Sequence, residues 1–142
     1  MYRDILIAID LNQESSWNKA LPTATEYCKA FGATLHVMTV LPDFGLSMVG
    51  QYFPANFESA HREQANKQLH AFVAEHAPKD IKVQHIVAEG TVYKEILRVA
   101  GEINADLIVM ASHRPELKDY LLGPNAEKVV RHSDLSVLVV RE

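Results

Sequence analysis

The sequence predicts an α/β protein built on an open, five-stranded parallel sheet with helices on both faces. Three observations carry this. Short wholly apolar runs, ILIAI at 5–9 and LIVM at 107–110, have strand length without polar alternation, as strands covered on both faces do. Between such runs lie stretches whose apolar residues recur at three- and four-residue steps, the spacing of one helix face. The two kinds of segment alternate along the chain, which obliges right-handed crossovers and parallel pairing.

Taken in order, the first strand spans 4–10 and ends at Asp10. A helix follows over 15–30, with Trp17, Ala20, Leu21, Ala24, Tyr27 and Cys28 on its apolar face and Gly32 as its C-terminal cap. Pro22 is awkward there, since an interior proline removes a backbone hydrogen bond and kinks or splits the helix. The β-branched run TLHVMTVL at 34–41 is the second strand, stopped by Pro42. Residues 42–54 form a long apolar loop of the kind used as a lid or contact surface, or a locally packed helical turn. A second helix over 55–76 buries Phe57, Ala60, Ala65, Leu69, Phe72 and Val73.

The third strand, 81–88, lies near an edge of the sheet. Its apolar face takes Ile81, Val83 and, after a slip, Ile86. Glu89, Gly90 and Thr91 supply a turn and an N-cap for a helix over 92–103. The fourth strand is 106–111, a polar loop covers 112–123, a helix covers 125–132, and LSVLVV at 135–140 is the last strand. In open sheets of this kind ligands sit beyond the carboxyl ends of the strands, where the winding reverses, and that points to Asp10, Val40 and Ala111.

At 142 residues the chain has the length of a single domain, 1–142, and its 48% hydrophobic and 23% charged content is globular rather than disordered or fibrous. Eighteen acidic and fourteen basic side chains give a net charge of −4, without the basic excess a nucleic-acid binder needs to displace counterions. Neither a signal peptide nor a bilayer-length apolar run is present, so no membrane insertion and a cytoplasmic location are expected. Cys28 is the only cysteine, which excludes an internal disulfide and reads as a small buried apolar residue.

The phosphate-loop and dinucleotide fingerprints are absent, as are the HExxH, GxSxG and EF-hand spacings, and the seven histidines are dispersed. No metal site is expected. What remains is the segment VMASHRPELKDYLLGPNAEKVVRH, 109–132, followed by Val139, Val140 and Arg141. With ILIAID at the start and AEG at 88–90, it resembles the universal stress protein family, whose fold is Rossmann-like, of the adenine nucleotide alpha hydrolase type. Nucleotide-binding members carry G-x2-G-x9-G-[S/T] in this stretch. Here Ala111 and Arg114 replace the first two glycines, eight residues separate Arg114 from Gly123, and Pro124 stands in the hydroxyl position. The ASHRP form is similar to a subgroup whose members bind ATP or AMP.

The resemblance implies a nucleotide site made by Ala8, Ile9 and Asp10, by Val40, by Met110, Ala111, Ser112, His113 and Arg114, and by Gly123, Pro124 and Asn125. The residue chemistry suits the part. Backbone N–H groups at the helix start, offered by Gly123 and Asn125, converge with Ser112, His113, Arg114 and the Asn125 side chain to receive phosphate. Pro124 loses one such donor yet fits the first helical turn. Arg114 either bridges phosphate oxygens or pairs with Glu116. Asp10 either accepts ribose hydroxyls or a divalent ion, or caps the first helix. His113 and His132 lack a carboxylate placed to make either a base, and Ser16, Ser112 and Thr39 lack a partner that would make them nucleophiles. Catalytic residues are therefore not assigned.

The expected function is a regulatory module of the stress response that binds ATP or AMP, with Mg2+ as the companion of ATP. Two rivals stand beside it: slow ATP hydrolysis or autophosphorylation at the same site, and a nucleotide-free module acting through a protein partner. The apolar last strand, 135–140, would be an exposed edge, which invites pairing into a homodimer, as the resemblance also implies.

Overall fold

The computed structural model describes the backbone of residues 1–41, 57–112 and 122–141, and the side chains of the same residues except 57 and 58. The expected loop at 42–54, Phe57 as a core residue, and His113, Arg114 and the Arg114–Glu116 pair lie outside what is described.

The elements are β1 (Asp4–Ala8), a 3-10 turn (Glu14–Ser16), α1 (Ala20–Phe31), β2 (Thr34–Leu41), α2 (Phe57–His76), β3 (Val83–Glu89), α3 (Val92–Glu102), β4 (Leu107–Ala111), α4 (Pro124–His132) and β5 (Ser136–Val140). The five strands form one sheet in the order β3-β2-β1-β4-β5, every neighbour paired in parallel. From β1 the chain winds outward through β2 to β3, then returns to β4 on the other flank. The winding therefore reverses between β1 and β4.

That reversal sorts the helices. Alternate residues of each strand face opposite sides, so Ile5, Ile7, Leu35 and Val37 pack with α1 and with Leu69 and Val73 of α2, while Leu6, Met38 and Ile108 pack with Ile96 and Val99 of α3 and Val129 of α4. Ile5, Leu6 and Ile7 have no exposed surface, which at about 1.5–3 kcal/mol for each fully buried side chain makes β1 the axis of the core. No described helix is long and apolar enough to cross a membrane.

Several expectations change in detail. Pro22 neither kinks nor interrupts α1, because the helix begins at Ala20 and proline occupies its first turn, where an N–H has no intrahelical partner; the 3-10 turn takes up the residues before it. Gly32 caps α1 in the left-handed region, φ 67°, as its lack of a Cβ permits. The slip in β3 does not occur. Ile81, Val83 and Val87 face the α1–α2 layer while Ile86 and Ala88 face the α3–α4 layer, so regular alternation serves two apolar faces. Ala60 is exposed rather than buried. Thr91 holds the N-cap position of α3 without a side-chain capping bond. Both β3 and β5 are edge strands.

Candidate functional site

The site is assembled where β1 and β4 end. Ile9 keeps sheet alignment one residue beyond β1, its N–H donating to the Met38 carbonyl at 2.9 Å. The chain then turns sharply. Asp10 Oδ1 accepts the N–H of Asn12 at 2.9 Å, and the Asp10 carbonyl accepts the N–H of Gln13 at 3.0 Å. Ser16 ties this turn: its hydroxyl accepts the Asp10 N–H at 2.8 Å and donates to the Gln13 carbonyl at 2.7 Å, with the Asp10 carbonyl 3.0 Å away. The Asp10 carboxylate thus holds its own turn and does not cap α1, whose N-cap is Lys19.

Across the reversal, Ser112 extends β4 by donating its N–H to Val140 of β5 at 2.9 Å, and its carbonyl accepts the N–H of Gly123 at 2.7 Å. Gly123 is the N-cap of α4 and Pro124 its first residue. The first intrahelical bond runs from the Glu127 N–H to the Gly123 carbonyl, 2.9 Å. The expected phosphate donor at Gly123 is therefore already committed to Ser112. Pro124 has no N–H, so the open donors at this helix start are those of Asn125 and Ala126.

Between these two ends lies a cavity of about 380 Å³. Ala8, Val40 and Met110 from the strand ends, with Val92 and Ile96 of α3, give it an apolar wall; Asp10, Gln13, Ser15 and Ser16 give a polar one; and Ser112, Gly123, Pro124, Asn125 and Ala126 form its far end. An apolar slot with a few convergent polar groups, set at a switch point of an α/β sheet, is the usual anatomy of a small-molecule site. Among the described residues no lysine or arginine lines it, and what these residues offer an anion is the open N–H groups and dipole of α4.

Ten of the twelve residues expected at a nucleotide site line this cavity: Ala8, Ile9, Asp10, Val40, Met110, Ala111, Ser112, Gly123, Pro124 and Asn125. Sequence reasoning missed Gln13, Ser15, Ser16, Val92, Ile96 and Ala126. Ile96 was legible only as core, which it also is, with no exposed surface. The polar run after Asp10 was the available signal for the 3-10 turn and its serines. Ser112 is 2% exposed, and among the described residues neither an imidazole nor a carboxylate is bonded to its hydroxyl.

Comparison with known proteins agrees with this architecture. Residues 1–141 match the model of the universal stress protein family. The chain is 31% identical over 144 residues to universal stress protein G of Escherichia coli O157:H7, covering 99% of this chain and 100% of that protein. It is 31% identical over 98 residues to universal stress protein MJ0577 of Methanocaldococcus jannaschii, covering 68% of this chain and 60% of that one. The solved structure of MJ0577 superposes with a TM-score of 0.73 at 26% identity, over 100% of this chain and 97% of that chain. PH0823 superposes with a TM-score of 0.79 at 24% identity, over 100% and 97%, a likeness of fold alone.

Proposed function

This chain belongs to the universal stress protein family, and we propose that within it the protein binds an adenine nucleotide, ATP or AMP, in the cavity between β1 and β4. A single observation supports this most: one space joins an apolar slot, the Asp10 carboxylate and the open N-terminus of α4. In this reading the base lies between Val40 and Met110, Asp10 accepts from the ribose hydroxyls, and the phosphates meet the N–H groups of Asn125 and Ala126. The family resemblance gives His113 and Arg114, outside the described residues, a part in the same phosphate site. Mg2+ travels with ATP. The bound state is passed on as regulation in the stress response, through a homodimer built on β5 and through a protein partner, with the protein acting in the cytoplasm.

The test begins with the protein as purified. Chromatography of the denatured sample is expected to release adenine nucleotide, or calorimetry of the stripped protein to show saturable ATP or AMP binding. Finding no bound nucleotide and no thermal shift at millimolar ATP overturns the proposal in favour of a nucleotide-free interaction module.

A further inference from the structure

Asp10 stands one residue past the point where its segment leaves the sheet, the bond from the Ile9 N–H to the Met38 carbonyl at 2.9 Å. Beyond that point local bonds set its place. The N–H of Asp10 donates to a side chain, the Ser16 hydroxyl, at 2.8 Å. The same hydroxyl lies 3.0 Å from the Asp10 carbonyl and donates to the Gln13 carbonyl at 2.7 Å. A hydroxyl has one proton and two lone pairs, so Ser16 can serve the Asp10 N–H and one carbonyl together. The Asp10 carboxylate accepts the Asn12 N–H through Oδ1 at 2.9 Å, a bond inside the same turn that moves with Asp10 and does not anchor it.

Ser16 is the anchored member of the pair. Its N–H donates to the Gln13 carbonyl at 2.9 Å, the Trp17 N–H donates to the Glu14 carbonyl at 3.0 Å, and the Trp17 carbonyl accepts the Leu21 N–H at 2.9 Å. These bonds join the 3-10 turn to the first turn of α1. The Trp17 ring packs on Phe72 and His76 of α2, with ring centroids 4.9 Å and 4.6 Å away. The turn that carries Ser16 is therefore tied to two helices, and Asp10 is tied to Ser16.

Both residues line the cavity between β1 and β4. A carboxylate accepts from a hydroxyl only over a narrow range of distance and angle, so a small displacement of Asp10 forfeits the contact. We infer, on the reading of this cavity as a nucleotide site, that Ser16 is a positioning residue: its hydroxyl sets the Asp10 carboxylate against the ribose, and the site thereby tells ribonucleotides from nucleotides whose sugar lacks those hydroxyls. Alanine at this position releases the Asp10 N–H and the Gln13 carbonyl at once. Threonine keeps the hydroxyl on the same carbon.

The test compares ATP with dideoxy-ATP, whose sugar lacks both hydroxyls, each titrated by calorimetry into the stripped full chain. The ratio of the two dissociation constants reports the sugar contact. In the parent chain ATP is expected to bind about tenfold more tightly, the scale of one charge-assisted hydrogen bond. Ser16→Ala should abolish that preference with little change for dideoxy-ATP, and Ser16→Thr should restore it. Should the alanine variant not fold, Ser16→Cys, with a thiol that bonds only weakly, is expected to give an intermediate preference. Asp10→Ala should also abolish the preference, and adding Ser16→Ala to it should change nothing further, because a residue that acts through another has no effect once that other is gone. A turn that Ser16 merely stabilises would weaken both nucleotides alike and leave the preference intact, which overturns the inference, as does a parent chain that binds the two equally. Failure of the parent chain to bind either nucleotide overturns the nucleotide reading itself, and this inference with it.

Discussion

Asp10 holds its turn through one oxygen and faces the cavity, and two substitutions separate these duties. Asparagine keeps an acceptor for the Asn12 N–H but loses the charge; alanine loses both. Both Asp10→Asn and Asp10→Ala are expected to weaken ATP binding in calorimetry by about 1–2 kcal/mol, whereas only alanine should also lower the melting temperature. Equal, unweakened affinities would confine Asp10 to turn-making. Cys28 is a second case. Burial pushes its thiol from 9.0 up to about 11, so the folded state keeps a proton that the unfolded chain releases. The stability this gives is complete below about pH 9 and disappears as pH rises toward 11. Urea unfolding across that window should show a decline that Cys28→Ala removes. At this scale the sequence was most legible where residue type and strand end coincide, as at Asp10 and Ser112. It was least legible where a bond partner decides the role: nothing in the order of residues announces that the Gly123 N–H is taken by a carbonyl eleven positions earlier.

Helices and strands were legible because periodicity reports burial, and burial here is simple: two apolar layers on one sheet. What sequence left open was how an apolar run divides between two layers, as in β3, since alternation is invisible when both faces are covered. The seam between α2 and β3 is anchored by Leu69, which has no exposed surface, and Leu69→Ala should cost about 2–5 kcal/mol in urea unfolding. The same seam stacks His70 on His85, ring centroids 3.7 Å apart. Burial, and then the neighbouring His70, hold His85 below the ordinary histidine range. A histidine depressed in the folded state contributes stability above its unfolded pKa and loses it as pH falls. Melting temperature should therefore drop between about pH 7.5 and about pH 5, and drop less in His70→Gln, where the repelling neighbour is gone. An identical drop in both proteins would place the acid sensitivity elsewhere.

For the molecule as a whole, the alternation of strand and helix sufficed to give the architecture, and the strand order then fixed where a cavity had to open. Among the described residues β5 leaves one edge of the sheet without a partner strand, and the proposed homodimer would be built on that edge. Its Leu138 and Val140 pack on one layer and Val137 on the other, while Val139 belongs to neither core cluster. Val139→Lys should therefore convert the proposed dimer to a monomer in analytical ultracentrifugation with little change in melting temperature, since charge on an edge discourages pairing. The bond from Gly123 to the carbonyl of Ser112, 2.7 Å long, has a broader consequence. It buttons the end of the fourth strand to the start of the last helix, so the two rims of the hollow keep a common spacing, and any strain put on one of them is felt at once by the other.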